Sequence, residues 1–466
     1  MVEIKFGTDG WRAIIAKEYT VDNVERVADA TGRWMQSKGM KAAVIGYDCR
    51  FGGVMFAEAT ARVLGKHGIK VYLGDHFAST PMVSYAVTQL KADMGIVITA
   101  SHNPSSYNGY KLKSSYGGPT IPGDIAAVEA LIPEQVAGPW PELSILKDQG
   151  LLEMVDLEAM YIAHVERSFD LDAIRKSGMG LAYDAMFGAG QNVIRKVLPE
   201  ATLLHCDFNP SFEGTAPEPI DKNLQQLAKL VASDDSIEMG LATDGDADRI
   251  GMYNSRGEFV DSHRILLLLL HYLVGYKKIT CKVVITFSVT EKVAALAEHY
   301  GLDYDITKIG FKYITEIMQH TDVVVAGEES GGIAIKGHIP ERDGIWMGLT
   351  LLEFMAKTGK TLDELLAEVY DIVGAFDFGR NDLHVTEAQK QSILKHLNEG
   401  SYKAFGPLDI TKEETIDGYK FHFAGDKWVM IRPSGTEPVL RVYAQAPDMS
   451  GVQDVLDNVC AVLLAS

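Results

Sequence analysis

The sequence predicts an α/β protein with three similar α/β domains that contain mixed sheets, plus a smaller C-terminal α+β domain, around a central cleft. Two observations support this prediction. The chain has 466 residues, more than one hydrophobic core usually supports, which suggests about three or four domains. One pattern also occurs three times: an apolar β-branched run, a helix-period segment, a second strand, and a third strand that ends in a polar loop.

The three repeated units each end in a loop of polar side chains. The first unit ends in MGIVITASHNP, the second in MGLATDGDADR and the third in DVVVAGEESGG. Ligands bind at the carboxyl ends of strands in open α/β sheets, because these ends and the adjoining helix N-termini form a crevice. We therefore expect the three loops to converge on one cleft.

The last part of the chain, from about Asp371, changes to alternating strand patterns before a final helix, GVQDVLDNVCAVLLA. This change predicts the smaller α+β domain. The predicted domains are residues 1–148, 149–257, 258–371 and 372–466.

Composition and charge argue against several classes of function. Lys and Arg number 44 against 63 Asp and Glu, a net charge of −19 that repels nucleic acid and anionic membranes. Four widely spaced cysteines show no metal or redox spacing. The N-terminus lacks a signal-peptide pattern, and the leucine run from Ile265 to Leu270 predicts a buried helix rather than a membrane span. We expect a cytoplasmic protein without nucleic-acid or membrane partners. Any phosphate that it binds must be held by a local basic pocket.

The acidic loop DGDADR, residues 244–249, predicts a cation site. Its carboxylates at alternate positions can face one ion if the backbone curls around it, and hard oxygen ligands suit Mg²⁺. An EF-hand is excluded, because the sixth and twelfth positions from Asp244 are Arg249 and Ser255. A solvated acidic turn is the alternative, but the strand-end position and the small residues between the carboxylates favour a site.

The loop TASHNP, residues 99–104, presents a hydroxyl, an imidazole and an amide in succession. Adjacent side chains diverge in extended backbone, so Ser101 and His102 do not form a ready nucleophile–base pair, and the chain has no GxSxG elbow. Ser101 or Asn103 could simply cap a turn before Pro104. A phosphorylated Ser101, however, could complete the ligand shell of a cation held by the aspartates.

Two further loops offer groups for a phosphate and a sugar. RPSGTEP, residues 432–438, combines a guanidinium, hydroxyls and backbone N–H groups that suit a phosphate, with Arg441 as a second cation. A hairpin turn with an exposed arginine is the alternative. GEESGG, residues 327–332, offers a carboxylate and a hydroxyl for sugar hydroxyls, but taken alone this motif is better explained as a polar turn.

In combination, these motifs resemble the α-D-phosphohexomutase family of phosphoglucomutases, phosphomannomutases and phosphoglucosamine mutases. The four loops occur in the family's order, with FGTDGWR before them and NGYK after the serine loop, so the resemblance covers essentially the whole chain. It implies Mg²⁺-dependent transfer of phosphate between the 1- and 6-hydroxyls of a hexose. It also implies a hexose 1,6-bisphosphate, such as glucose 1,6-bisphosphate, as intermediate and activator, hexose phosphates as partners, and a monomer or homodimer.

The resemblance further implies roles for individual residues. Ser101 is the phosphorylated residue, and the phosphoserine binds Mg²⁺ together with Asp244, Asp246 and Asp248. Arg249 positions the transferred phosphoryl group, Lys111 is the candidate for proton transfer, and Arg12 borders the same site. The implied substrate contacts are His102, Lys312, Glu328, Ser330, Arg432, Ser434, Gly435 and Thr436.

Three points stay open at this level. Some bifunctional members have a histidine where this chain has Gly332, so the second acid/base is unassigned; His338 lies nearby but is equally well explained as structural. The loop KIGFKYI, with Lys312, resembles that of phosphoglucomutases and favours glucose over mannose or glucosamine. The alternative functions are a phosphatase or mutase with Asp244 as nucleophile, which Asp248 disfavours, and a silent sugar-phosphate binding protein, which the retained reactive residues disfavour.

Overall fold

The computed structural model describes residues 2–7, 9–136, 138–433 and 439–465. Four main sheets follow one another along these residues, and helices cover them. The first three sheets contain parallel strands with antiparallel additions, and the fourth is antiparallel. The predicted fold class is confirmed.

The first sheet is built on near-continuous apolar strands such as AAVIGY and MGIVI, whose residues are almost all buried. Its elements are β1 (Trp11–Ile14), α1 (Val21–Ser37), β2 (Ala42–Tyr47), α2 (Gly53–Lys66), β3 (Lys70–Gly74), α3 (Thr80–Gln89), β4 (Met94–Ile98), β5 (Tyr107–Ser114), α4 (Pro122–Glu129), α5 (Leu143–Asp148) and β6 (Leu152–Val155). The strand order is β1-β5-β4-β2-β3-β6. This sheet extends past residue 148, because β6 pairs with β3 and buries Leu152 in the first core.

The second sheet has the order β11-β10-β9-β7-β8, in which β7 runs parallel to β8 and β9. Its elements are α6 (Leu157–Ser168), α7 (Leu171–Lys176), β7 (Gly180–Asp184), α8 (Gln191–Val197), β8 (Thr202–Leu204), α9 (Gln225–Ser233), β9 (Ile237–Thr243), β10 (Ile250–Asn254) and β11 (Phe259–Val260). Strand β11 extends this sheet past residue 257.

The third sheet has the order β13-β12-β14-β15, with β12, β13 and β14 parallel. Its elements are α10 (Ser262–Leu270), β12 (Lys282–Thr286), α11 (Glu291–His299), β13 (Tyr304–Thr307), α12 (Phe311–Met318), β14 (Val323–Gly327), β15 (Ile333–Ile335), α13 (Gly344–Thr358) and α14 (Leu362–Val373). The leucine run lies in α10 and is completely buried, as the sequence predicted. Among the described residues, no helix combines the length and hydrophobicity needed to cross a lipid bilayer.

The C-terminal sheet has the order β16-β22-β21-β20-β19, and α16 packs against it. Its elements are β16 (Asp377–His384), α15 (Glu387–Asn398), β17 (Ala404–Phe405), β18 (Leu408–Asp409), β19 (Lys412–Glu414), β20 (Tyr419–Phe423), β21 (Lys427–Pro433), β22 (Val439–Ala446) and α16 (Met449–Leu464). Strands β17 and β18 form a separate two-stranded ribbon.

One large hydrophobic core joins the first three units. It includes Val97 of β4, Leu181 of β7 and Val283 of β12, which come from three different sheets. Helix α3 of the first unit packs on α6, and α13 of the third unit packs on strands of the second. These contacts fix the three sheets so that the loops after β4, β9 and β14 approach one another.

Candidate active site

The serine loop and the acidic loop are in direct contact. Ser101 follows β4, Asp244 follows β9, and the Ser101 hydroxyl donates a hydrogen bond of 2.8 Å to Asp244 Oδ2. The Thr80 N–H also donates to the Asp246 carbonyl at 2.9 Å. Ser101 and the three loop aspartates are at most 1% exposed. The structure thus brings together residues that are 143 positions apart in the chain.

A glycine allows this close approach. A Cβ atom on Gly245 would lie 2.5 Å from the Ser101 carbonyl oxygen, well inside the range of real contacts. The backbone on both sides of the contact is strained, because Ser101 has φ 53° and Ala247 has φ 56°, a region that residues with a side chain rarely adopt. A glycine at position 245 is therefore a steric requirement of the contact.

Arg50, which the sequence did not single out, holds the serine loop in this shape. Its fully buried guanidinium pairs with Asp48 at 3.1 Å. It also donates to four backbone carbonyls of the loop, those of Ser101, Asn103 (2.6 Å), Pro104 (2.8 Å) and Tyr107 (3.1 Å). A sequence pattern could not reveal this role, because the acceptors are backbone atoms.

The acidic loop fits a divalent cation. One carboxylate oxygen from each of Asp244, Asp246 and Asp248 lies within 4.8 Å of the others. Asp246 Oδ1 and Asp248 Oδ1 are buried and have no hydrogen-bond partner among the described residues, which is costly unless an ion binds them. Burial and the two neighbouring charges raise the pKa of Asp244 well above its usual range, and a dication would oppose this shift. Three hard oxygen ligands suit Mg²⁺.

Lys111 reaches the same carboxylates from β5. Its Nζ lies 2.8 Å from Asp246 Oδ2, 3.0 Å from Asp248 Oδ2 and 2.7 Å from Asp9 Oδ2. Burial alone lowers the pKa of Lys111, but the three carboxylates raise it above its usual range, so the side chain is an ammonium in this arrangement. Its predicted role in proton transfer stays a prediction.

Asp9 and Arg342 complete this buried ionic network, and the sequence analysis assigned neither of them. The Arg342 guanidinium lies 2.6 Å from Asp9 and 2.7 Å from Asp248. Asp9 belongs to FGTDGWR and Arg342 to GHIPERDG, but no spacing could connect two residues 333 positions apart. The network joins the first, second and third units at the acidic loop.

His102 and Arg12 lie beside the serine. His102 Nδ1 is 3.4 Å from Ser101 Oγ, and burial together with Arg249 and Arg12 lowers the pKa of His102 well below its usual range. The imidazole is therefore neutral near pH 7. Arg12 donates to Asn103 Oδ1 at 2.8 Å, and the Arg249 N–H donates to Asp244 Oδ1 at 3.0 Å.

A cleft of about 1450 Å³ opens over this centre. Seven predicted site residues line it: Arg12, His102, Arg249, Lys312, Glu328, Ser330 and Arg432. Arg342 and Arg441 add further cations, so this acidic protein has the local basic pocket that phosphate binding needs. The predicted contacts Ser434, Gly435 and Thr436 lie outside the described residues.

The sugar loop places two carboxyl groups, those of Glu328 and Glu329, in the lining of the cleft. Glu328 is 6% exposed, and burial raises the pKa of its carboxyl to about 7 although Arg342 opposes the shift. His338 lies elsewhere: its side chain is fully buried, stacks on Trp346 at 3.8 Å between ring centroids, and contacts Asp343 at 2.9 Å. These contacts favour the structural interpretation of His338.

Comparison with known proteins places the chain among sugar-phosphate mutases. Models of the phosphoglucomutase/phosphomannomutase family match four successive regions: α/β/α domain I at residues 3–137, domain II at 159–257, domain III at 261–373 and the C-terminal domain at 383–462.

Individual relatives are similar over their full lengths. A protein of Methanobrevibacter smithii named probable phosphoglucosamine mutase is 28% identical and covers 98% of each chain. A phosphoglucomutase/phosphomannomutase of Thermococcus kodakarensis is 28% identical over 97% of this chain and 96% of its own. The crystal structure of a Thermus thermophilus protein assigned as a phosphomannomutase has 33% identity and a TM-score of 0.87, with 99% of both chains covered.

Proposed function

The chain belongs to the phosphoglucomutase/phosphomannomutase family, and we propose that it interconverts glucose 1-phosphate and glucose 6-phosphate through a phosphorylated Ser101. Membership makes it an intramolecular phosphotransferase of the isomerase class. The observation that supports the phosphoserine is the 2.8 Å contact between Ser101 Oγ and Asp244, inside a buried carboxylate cluster suited to Mg²⁺.

Ser101, Asp244, Asp246 and Asp248 would hold the Mg²⁺ ion. When bound, the ion supplies positive charge that offsets the charge on the transferred phosphoryl oxygens. Arg12 and Arg249 flank the serine and supply further positive charge from the cleft side. Arg50 keeps the serine oxygen at this position through its contacts with the loop carbonyls.

The proposed reaction has two phosphoryl transfers. In the first, the bond between Ser101 Oγ and phosphorus breaks, a bond from phosphorus to the free sugar hydroxyl forms, and the hydroxyl proton returns to Ser101 Oγ. The product is a hexose 1,6-bisphosphate, which turns in the cleft and transfers its other phosphoryl group back to Ser101. The neutral imidazole of His102, 3.4 Å from Oγ, can relay this proton, and the Lys111 ammonium, which contacts Asp246 and Asp248, is a further candidate.

The phosphate that does not react needs a separate site on the C-terminal domain. Arg432 and Arg441 are paired across β21 and β22, and both line the cleft. We propose that they bind this phosphate together with Ser434, Gly435 and Thr436. A single clamp then accepts either end of the bisphosphate.

Glucose is the preferred sugar in this proposal, because the loop KIGFKYI resembles that of phosphoglucomutases and its Lys312 lines the cleft. Glucosamine is the second candidate, since several relatives are named phosphoglucosamine mutases. Specificity constants for glucose, mannose and glucosamine 1-phosphates decide between them: the highest kcat/KM should be for glucose, and a higher value for glucosamine would correct the assignment. The cytoplasm is the proposed location, in keeping with four free cysteines.

The phosphoserine is tested by mass spectrometry of phosphopeptides from active protein. Phosphate should be found on Ser101, and Ser101→Ala should abolish turnover of glucose 1-phosphate with Mg²⁺ and bisphosphate. Ser106→Ala is a matched control, since Ser106 is an exposed serine of the same loop and should retain full activity. Phosphate on an aspartate with none on Ser101 would overturn the proposal.

A further inference from the structure

A second cluster of metal-ligand side chains lies at the carboxyl edge of the first sheet, away from the serine loop. Asp75 and His76 directly follow β3, and Asp156 directly follows its parallel neighbour β6. Glu158 lies in the first turn of α6. Ser101 follows β4, which is separated from β3 by β2 in the sheet. The cluster is therefore distinct from the acidic loop of the active site.

The side chains are arranged like those of a metal-binding histidine. Asp75 Oδ1 lies 2.5 Å from His76 Nδ1, so the imidazole tautomer that donates from Nδ1 to this carboxylate presents its Nε2 lone pair to a metal ion. His76 Nε2 faces Asp156 Oδ1 at 3.8 Å and Glu158 Oε2 at 3.9 Å. Asp75, His76 and Asp156 each place a ligand atom within 4.8 Å of the others.

Glu158 provides independent evidence for a ligand. The residue is completely buried, one of its carboxylate oxygens pairs with Lys196, and the other, Oε2, has no hydrogen-bond partner among the described residues. A buried carboxylate oxygen without a partner is costly. This oxygen points towards His76 Nε2, so a cation between them would satisfy it.

We propose that His76 Nε2, Asp156 and Glu158, with Asp75 orienting the imidazole, bind a divalent transition-metal ion of the zinc class. Imidazole with carboxylates suits Zn²⁺ better than Mg²⁺, which prefers oxygen ligands alone. Two ligands on tetrahedral zinc lie about 3.3 Å apart, given metal–ligand bonds of about 2.0–2.2 Å. The His76 side chain is about a third exposed and can close the remaining gap of about half an ångström, while Asp156 Oδ1 keeps the hydrogen bond that it accepts from the Ala159 N–H at 2.8 Å.

The charge and position of the site indicate a structural role. Three carboxylates face one ammonium, that of Lys196, so the cluster keeps a net negative charge. Asp75 and His76 belong to the first unit, whereas Glu158 lies on α6, which packs against α8 of the second unit. A bound ion would therefore brace the junction of the two units that supply the serine and acidic loops. The inference does not depend on the proposed sugar or on the phosphoserine.

Calorimetric titration of Zn²⁺ into chelator-treated, full-length protein tests the site. Saturating Mg²⁺ is present throughout to occupy the acidic loop. The wild type should bind one Zn²⁺ ion, and His76→Gln and Glu158→Gln should each weaken binding at least about tenfold. His422→Gln is the matched control, because His422 lies in a different cluster with Glu291 and Glu414 and its loss should leave the titration unchanged. His76→Gln should keep wild-type mutase activity with Mg²⁺.

Diffraction at the zinc absorption edge then locates the ion in crystals soaked with Zn²⁺ and Mg²⁺. Anomalous density beside His76 Nε2, lost in His76→Gln, supports the proposal. Absence of zinc uptake by the wild type, or equal uptake by wild type, His76→Gln and Glu158→Gln, overturns it. His76 is partly exposed, so this variant is expected to fold, and its unchanged melting temperature without zinc verifies that.

Discussion

Gly245→Ala tests whether the contact between the serine loop and the acidic loop is the basis of the active site. Gly245 lies between two proposed metal ligands. It is not one of the glycines with a positive φ, so its backbone conformation does not itself disfavour an alanine. The added methyl group would instead meet the Ser101 carbonyl oxygen at 2.5 Å and Pro217 Cγ at 3.1 Å. The substitution changes one distance without removing any polar group.

The size of the effect follows from that distance. Ordinary Cβ contacts begin near 3.4 Å, so the two loops must separate by about 0.9 Å to accept the methyl group. Ser101 is held by Arg50 and the acidic loop is held by Lys111, so neither backbone can move freely. Overpacking of this kind costs about 1–3 kcal/mol in the free energy of unfolding. A shift of about an ångström between reacting groups costs about 100-fold in rate.

A coupled assay with glucose 1-phosphate, Mg²⁺ and glucose 1,6-bisphosphate measures the consequence. We expect kcat to fall about 100-fold while KM changes little, because the cleft side chains that bind the sugar stay in place. Gly123→Ala is the control: Gly123 is exposed in α4, a Cβ there meets nothing within 4 Å, and activity should be unchanged. A kcat of Gly245→Ala within about threefold of wild type would refute the argument from distance.

Three further predictions concern the charges around the cleft. Arg342→Met should lower the free energy of unfolding by about 3–5 kcal/mol in urea titrations, because Asp9 and Asp248 lose a buried partner; Arg342→Lys should recover part of the loss, and equal stability of both variants would contradict it. Burial raises the pKa of Glu328 from 4.5 to about 7, so between these pH values the folded protein keeps a proton that the unfolded chain has lost. The free energy of unfolding should therefore fall by ~3 kcal/mol as the pH rises through this range. Urea titrations of Glu328→Gln at several pH values should lack this contribution to the pH dependence. Mg²⁺ should raise the melting temperature in calorimetry, because a hundredfold excess over Kd stabilises the folded state by about 2.7 kcal/mol. An equal rise in melting temperature for Asp248→Asn would argue against the acidic loop as the site.

Much of the fold could be predicted because the repeated units have strongly periodic sequences. The apolar strands β4, β9 and β14 are nearly uniform in burial, and each ends at a polar loop, so both the strands and their ligand-binding ends are readable locally. Strands β6 and β11 were not readable in this way, because they are short edge strands whose pairing depends on their neighbours. They extend the first two sheets beyond residues 148 and 257.

The residues of the candidate site likewise fall into those that a local sequence pattern revealed and those that only the fold revealed. Ser101, Asp244 and Glu328 lie in loops whose composition is unusual enough to indicate chemistry. Arg342 and Arg50 were missed because their partners are a distant carboxylate and backbone carbonyls, and neither leaves a pattern in the sequence. A buried arginine is recognisable only when the fold shows what surrounds it.

The strain at Ser101 connects these missed residues to the proposed chemistry. A side-chain-bearing residue at φ 53° costs about 1–2 kcal/mol, and Ala247 at φ 56° costs a similar amount. Such conformations persist only where the surroundings enforce them, and here the Ser101 N–H donates to Thr99 Oγ1 at 2.8 Å while Arg50 binds the Ser101 carbonyl oxygen. The serine oxygen is thereby aimed at Asp244 before any substrate arrives. If the two transfers share this fixed oxygen, it is the sugar that must turn and not the protein, which explains why one buried centre lies below a cleft as large as 1450 Å³.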